Sequence, residues 1–403
     1  MFAKTAEGKP EKQPDTFRWL PRLGKGKTCL HGVNLEPKPS TKVAAFDLDG
    51  CLIESSHGTK KKTKDSAPSF QWWRGSVPKK LKEALAEGFS IVIITNQALR
   101  GSTAIDEWKK KIPLIGAAAN VPFRLFAATA KDGYRKPIPG MWYEIERIFA
   151  EEGVQIDKDA SLFVGDAAGR KGDFASTDRK WALNVGIPFL TPEEYFLKLN
   201  PAPFTLPGFH PSSLPTDVPH ITPSSTPIVQ PSGKGPEIVL FVGYPAMGKT
   251  TFFRTHFAPA EYVHVNQDTL KTREKCVKAV ETAIQDGKSC VVDNTNRNSD
   301  TRKHYVAVAK EHGVPIRCFL FEGSLELAWH NNLYRAYNMP ADASPTAPKR
   351  DLVPYNGFSS FKNSYEEPQL SEGFSAIKRV NWVFEGTDLE HARWNMWLQI
   401  DGK

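Results

Sequence analysis

Long apolar runs are missing from this 403-residue chain: no stretch approaches the roughly 18 uninterrupted apolar residues that a membrane-spanning helix needs. An apolar secretory core is missing too, since the N-terminus reads MFAKTAEGKPEKQPDTF. Cysteine is scarce. The five present (Cys29, Cys51, Cys276, Cys290, Cys318) are scattered, and none forms a C-x-x-C pair, so neither a zinc site nor a disulfide framework is indicated. These thiols read as packing residues in a reducing compartment. An excess of acid is also absent. Lysine and arginine number 53 against 45 aspartates and glutamates, and the net charge of +8 favours a polyanionic partner without marking a site.

What is present is enough for two domains, each with its own core. Before residue 200, the runs VAAFDL, SIVIITN, FRLFAAT and SLFVGD have strand length and alternate with the helix-like PKKLKEALAEG and PGMWYEIERIFAEEG. Proline opens each helix pattern and glycine closes it. After residue 236, EIVLFVG, YVHVN, SCVVDN and IRCFLF repeat the pattern. Near-continuous apolar strands separated by helices predict parallel sheets covered on both faces, hence an α/β fold in two domains. Between them, ten prolines fall within 201–236, and such a density predicts an extended linker. The division expected is an extension over 1–36, a first domain over 37–200, a linker over 201–236 and a second domain over 237–403. No internal repeat is found.

Each domain carries a phosphate-handling pattern. In an open parallel sheet, ligands bind beyond the carboxyl ends of the strands. Asp47 and Asp49 end the first strand, Thr95 follows IVII, Lys136 lies in YRKP, and Asp166 ends LFVGD. Transfer of a phosphoryl group to a carboxylate needs a nucleophile and a second acid for the leaving alkoxide. It also needs groups that hold phosphate oxygens, and a cation between the anions. The expected roles are Asp47 as nucleophile, Asp49 as general acid and later base, and Thr95 and Lys136 as phosphate ligands. Asp47, Asp166 and the Asp49 carbonyl are the expected Mg²⁺ ligands.

The second pattern is Gly243-x₄-Gly248-Lys249-Thr250, which follows the strand-like IVLFV and opens KTTFFRTHF. A strand, this glycine loop and a helix form a phosphate loop. Backbone amides cradle phosphates, Lys249 meets the outer ones and Thr250 is a ligand of Mg²⁺. ATP and Mg²⁺ are the implied cofactors. Asp268, after YVHVN, is the expected base for an acceptor hydroxyl. Asp293, in VVDNTN, reads either as a group near the metal or as a turn residue. Arg335 and Arg302 are candidates for the γ-phosphate.

The first pattern resembles the haloacid dehalogenase phosphatase superfamily, with Cys51 where that signature has threonine. The order of phosphatase, linker and P-loop kinase resembles the eukaryotic polynucleotide kinase 3′-phosphatase family, from about Lys42 onward. FDLDG, YRKPIPGMW, VGDAAGR, GYPAMGKTTF, VNQDTL, DNTNR and GVPIRCFLF carry the likeness. That resemblance implies a nuclear, monomeric DNA-repair enzyme acting on nicks, gaps and double-strand breaks. It would remove 3′-phosphates through an aspartyl-phosphate and phosphorylate 5′-hydroxyls with ATP. About 40 residues precede FDLDG, too few for the forkhead-associated domain of animal members, so docking to a phosphopeptide scaffold is not expected. No membrane partner is expected either. RNA ends are the alternative substrate, since neither motif reads the sugar. An inactive end-binding scaffold and a small-molecule kinase–phosphatase fusion are the other readings. Lys60–Lys64 (KKKTK) precedes FQWW. It could track a nucleic-acid backbone beside Trp72 or Trp73, act in nuclear import, or be a solvated loop.

Overall fold

Val43–Phe46 contains no polar residue because both faces of its strand are covered, and the computed structural model places it inside a parallel sheet. The structure describes residues 16–55, 69–231, 233–340 and 351–399. The chain divides into one unit of residues 1–208 together with 396–403, and a second of 209–395.

The first unit contains β1 (Phe17–Leu23), β2 (Cys29–Asn34), β3 (Lys42–Phe46), β4 (Phe89–Asn96), β5 (Phe123–Ala128), β6 (Leu162–Val164) and β7 (Phe189–Leu190). They form one sheet in the order β1-β2-β5-β4-β3-β6-β7. Its helices are α1 (Val77–Ala86), α2 (Gly101–Ala119), α3 (Gly140–Glu151), α4 (Thr177–Val185) and α5 (Pro192–Leu197). Successive side chains of a strand point to opposite faces. Ala44, Phe46, Ile91 and Ile93 therefore join Leu81, Ile112 and Ile115 in one apolar layer. Val43, Ala45, Val92 and Ile94 join Met141, Trp142, Ile145 and Trp181 in the other. The strands expected from VAAFDL, SIVIITN, FRLFAAT and SLFVGD are β3 to β6, and β3 pairs in parallel with β4 and β6.

The expected extension over 1–36 needs correction. β1 and β2 form an antiparallel hairpin, and β2 continues the sheet antiparallel to β5, with Cys29 opposite Ala128. Every residue of β2 is buried, including Asn34, whose side-chain amide donates to the carbonyls of Gly116 and Val121.

The second unit contains β8 (Ile221–Thr222), β9 (Ile238–Val242), β10 (Val263–Val265), β11 (Cys290–Val292), β12 (Ile316–Glu322) and β13 (Ala376–Asn381), in the order β10-β11-β9-β12-β13-β8. Its helices are α6 (Lys249–Phe252), α7 (Gln267–Leu270), α8 (Arg273–Gln285), α9 (Ser299–Glu311), α10 (Leu325–Leu333), α11 (Tyr355–Ser364) and α12 (Asp388–Trp394). Ile238, Leu240 and Val242 face one apolar layer with Val280, Ile284 and Tyr305. Phe241 faces the other way and meets the rings of Phe252, Phe257, Phe319 and Phe321.

The linker expected over 201–236 is also corrected, because much of it is built into the two units. Thr205 donates its amide to Gly169 O at 2.9 Å, and Phe204 bridges Arg170. Ile221 and Thr222 pair with Val380 and Arg379, so β8 is an edge strand, the position in a sheet where proline neighbours are tolerated. Proline lacks an N–H but keeps its carbonyl, and basic side chains of the sheet use those acceptors. Lys378 Nζ donates to Pro223 O (2.7 Å) and Thr226 O (2.6 Å), and Arg317 donates to Pro227 O and Ile228 O.

Candidate active sites

The first site lies at the carboxyl ends of β3, β4 and β6. Asp47 follows β3, and its amide donates to Val164 O at 2.8 Å. Lys136 is 1% exposed and donates from Nζ to Asp47 Oδ1 at 2.6 Å, to Ile94 O at 2.9 Å and to Asp178 Oδ1 at 2.7 Å. Asn96 fixes the lysine backbone, accepting from its amide and donating to its carbonyl. Thr95, the last buried hydroxyl of β4, accepts from Gln97 Nε2 at 3.0 Å, and Gln97 Nε2 also donates to Asp49 Oδ2 at 2.7 Å. The Asp49 carboxylate lies 3.6 Å from Lys111 Nζ.

Carboxylate atoms of Asp47, Asp166 and Asp178 all lie within 4.8 Å of one another. Asp178 occupies the first turn of α4 and accepts from the Ala167 amide at 3.1 Å. Gly50 and Gly165 make room for this grouping. A Cβ on Gly50 (φ +89°) would stand 2.2 Å from Asp166 Oδ2, and one on Gly165 would stand 2.4 Å from Asp178 Oδ2. Burial, then the neighbouring Asp178 charge, pushes the Asp166 carboxyl up to about 7. Burial also pushes Asp47 up, against the pull of the Lys136 ammonium. Burial works against the Lys136 charge, but Asp178 and Asp47 outweigh it and raise that pKa. Three carboxylates around one ammonium leave a surplus of negative charge, and an all-oxygen donor set of this kind fits a hard divalent cation such as Mg²⁺.

Cys51 is fully buried, and its thiol donates to Val164 O at 3.3 Å. Burial and the adjacent Asp47 push the thiol well above its ordinary range, which disfavours the thiolate that a nucleophile would need.

The second site is the loop between β9 and α6. Lys249 Nζ donates to Gly243 O at 3.0 Å and Tyr244 O at 2.5 Å. Burial lowers its pKa to about 8. Thr250 Oγ1 donates to Asp293 Oδ2 at 2.7 Å, and His264 Nε2 and Asn266 Nδ2 converge on the same oxygen. Burial opposes the Asp293 charge, but hydrogen bonds from His264 and Thr250 and the nearby Lys249 charge hold its carboxyl below the usual range. Asp293 is thus the acid beside Thr250, directly after β11, the strand next to β9, and the pair fits the metal-binding corner of a phosphate loop.

Gly248, Lys249, Thr250, Asp268, Asp293 and Arg335 line one cavity of about 650 Å³. Arg254 and Lys271 add positive charge to its wall. Asp268 is exposed on α7, with its amide donating to Asn266 Oδ1 at 2.8 Å. An adjoining cavity of about 200 Å³ shares Gly248 and is walled by Phe252, Tyr334, Trp382 and Phe384, with His220 of the proline-rich segment. Its aromatic lining suits a flat heterocycle.

Arg302 is corrected. Its side chain is 0% exposed and does not line the phosphate-loop cavity. It forms a two-pronged pair with Glu372 at 2.6 and 2.8 Å, and donates to Asn296 O and Glu366 O. The structure gives it a core role. Trp72 and Trp73 are partly buried, Trp73 against Phe196, while Lys60–Lys64 lie outside the described residues.

Sequence reasoning did not single out Asp178, Gln97, Arg254 or Lys271. For Asp178 the available signal was the DFASTDR stretch closing the loop after VGDAAGR, where serine and threonine precede an acid at a helix start.

These two sites define a class: a phosphatase unit with a carboxylate-rich site joined to a P-loop kinase unit in one α/β chain. The family model described as polynucleotide kinase 3 phosphatase matches residues 42–196, and an AAA domain model matches 238–351. A bifunctional polynucleotide phosphatase/kinase of Schizosaccharomyces pombe is 37% identical over 90% of this chain and 84% of its own length. A putative bifunctional polynucleotide phosphatase/kinase of Acanthamoeba polyphaga mimivirus is 33% identical over 90% of both. An Arabidopsis thaliana polynucleotide 3′-phosphatase is 36% identical over 41% of this chain and 25% of its own. The chain belongs to the bifunctional polynucleotide phosphatase/kinase family. It is an enzyme with two activities, polynucleotide 3′-phosphatase and 5′-hydroxyl kinase.

Proposed function

We propose that this enzyme heals broken DNA ends in the nucleus, removing 3′-phosphates and phosphorylating 5′-hydroxyls so that the ends can be joined. The observation that carries the reading is the presence, in one chain, of the Asp47–Asp166–Asp178 grouping around Lys136 and of the Lys249–Thr250–Asp293 phosphate loop.

In the phosphatase unit, Asp47 attacks phosphorus and carries the phosphoryl group as an aspartyl-phosphate. Asp49, oriented by Gln97 at 2.7 Å, protonates the leaving 3′-oxygen and then deprotonates the water that cleaves the acyl-phosphate. Lys136 and Thr95 hold phosphoryl oxygens. Asp47, Asp166 and Asp178 would hold Mg²⁺, with the Asp49 carbonyl as a further ligand. The ion supplies charge that lets an anionic nucleophile approach an anionic ester.

In the kinase unit, the loop from Gly243 to Thr250 cradles the ATP phosphates and Lys249 turns from the loop carbonyls to the outer phosphates. Thr250, beside Asp293, would hold Mg²⁺. Arg335 stabilises charge on the transferring group, and Asp268, exposed in the same cavity, accepts the proton of the 5′-hydroxyl. The aromatic cavity receives the base of ATP.

The test is incubation with a nicked duplex bearing a 3′-phosphate and a 5′-hydroxyl, with ATP and Mg²⁺, beside an RNA strand of the same sequence. Conversion of both DNA ends, faster than those of RNA, is expected. Preference for the RNA would move the reading to RNA-end healing.

A further inference from the structure

Helix α4 touches the phosphatase site at its first turn and a returning segment of chain at its last. Asp178, at its start, belongs to the carboxylate grouping around Lys136. Asn184, near its end, makes three hydrogen bonds that use its amide fully. Nδ2 donates to Pro137 O at 2.8 Å and to Trp397 O at 2.7 Å, and Oδ1 accepts from the Trp397 amide at 2.7 Å. An amide nitrogen has two protons, and both are committed. Pro137 is the residue directly after Lys136. Between the two ends of the helix, Lys180 lies against the same segment, its Nζ 4.7 Å from the Trp397 ring and donating to Pro207 O at 2.5 Å. Tyr143 of α3 reaches Met396 of the segment at 3.9 Å.

The segment is Met396–Gln399, which follows α12 in sequence but belongs to the first unit. Its backbone completes the hydrogen-bonding of Asn184, which fixes the carbonyl one residue from the lysine between Asp47 and Asp178. Asn96 holds the Lys136 backbone from the β4 side, and Asn184 holds the next carbonyl from the α4 side. Loss of either tie frees the turn that aims the ammonium.

We infer that Met396–Gln399 is a positioning element of the phosphatase: through Asn184 it fixes the Pro137 carbonyl and so the aim of Lys136. The phosphatase active site thus depends on residues encoded beyond the kinase sequence. This inference rests on the reading of Lys136 as a phosphate ligand. Partners that orient a site group are commonly worth about 10–100-fold in activity or affinity, which sets the size expected here.

The test uses the full chain carrying Asn184→Ala, the chain ending before Met396, and the two changes together. Val185→Ala, on the same helix with no bond to the segment, controls for lost packing. Each is assayed at a temperature where all remain folded by circular dichroism. The readouts are kcat and KM for a small aryl phosphate, inhibition by orthovanadate, and kinase activity. Vanadate inhibition of the wild type tests the phosphatase reading by itself. Both single changes should lower kcat and weaken vanadate inhibition about tenfold or more. The double change should add nothing further, because the two act through one tie. Val185→Ala should leave vanadate inhibition as in the wild type, and kinase activity should be kept throughout. Unchanged inhibition in either single variant, additive losses in the double, or an equal loss with Val185→Ala would overturn the inference.

Discussion

Each unit buries a lysine at the heart of its site, and the two are held in opposite ways. Lys136 sits between Asp47 and Asp178, and the acids raise its pKa against the effect of burial. Lys249 donates only to neutral carbonyls among its closest contacts, and burial lowers its pKa to about 8. The first ammonium already has its counter-charges in the protein, so the phosphatase site is preorganised before substrate arrives. The second has the ligand's phosphates as its best counter-charge, so the kinase site is completed by nucleotide. A carboxylate network suits a reaction whose nucleophile is the protein. A cation whose own hydrogen bonds go to neutral carbonyls suits one whose reacting groups are both brought in.

Changes in the first network should have the largest effect. Asp47→Asn is nearly isosteric, but an amide cannot serve as the nucleophile, so 3′-phosphate release should fall by several orders of magnitude in a single-turnover assay. Asp178→Asn should also cut it severely and raise the Mg²⁺ concentration needed for half activity. Kinase turnover should stay unchanged in both.

Lys249→Ala should cost the kinase about 2.7–4 kcal/mol of transition-state stabilisation, a loss of about 10²–10³ in turnover, because it removes a preorganised charge from the transferring group. Rapid-quench kinetics would measure it, with phosphatase activity as the internal control.

The two arginines sharpen the contrast between site and core. Arg302→Ala leaves Glu372 without its buried partner and should lower the stability of the second unit by about 3 kcal/mol in urea unfolding. Arg335→Ala, in the wall of the phosphate-loop cavity, should lower phosphoryl transfer while the unfolding midpoint is kept.

A smaller effect follows from the Lys249 pKa of about 8. Above that pH the nucleotide-free lysine loses its proton, whereas bound phosphates favour the charged form. ATP binding should therefore take up a proton between about pH 8 and 10, and affinity should fall as pH rises through this window. Calorimetry in buffers of different ionisation enthalpy reads the uptake directly. The smallest effect is expected at Cys51. Cys51→Thr keeps a donor toward Val164 O, so phosphatase turnover should stay within a few-fold of the wild type.

How far the sequence revealed this arrangement depended on where the partners lie. The strands β3, β4, β9 and β11 were legible because burial on both faces makes their sequences nearly all apolar. β1 and β2 were not, since FRWLPRL and CLHGVN carry arginine, proline, histidine and glycine in a hairpin at the sheet's edge. The P-loop was legible because its chemistry requires consecutive residues. Asp178 was not, because it comes from a helix start and not from a strand end, and only the fold brings it beside Asp47 and Asp166. Arg302 misled for a related reason. Its partner Glu372 stands 70 residues away, so a helix arginine read as a γ-phosphate candidate is a core ion pair. The linker was judged from proline's missing donors, whereas its carbonyls are what the sheet uses.

One chain holds two chemically separate sites. The most direct measurement gives a single nicked duplex, with 3′-phosphate and 5′-hydroxyl at the break, to Asp47→Asn, to Lys249→Ala and to an equal mixture of the two. Asp47→Asn should convert only the 5′ end, Lys249→Ala only the 3′ end, and the mixture both. Loss of both conversions in either folded variant would contradict that separation.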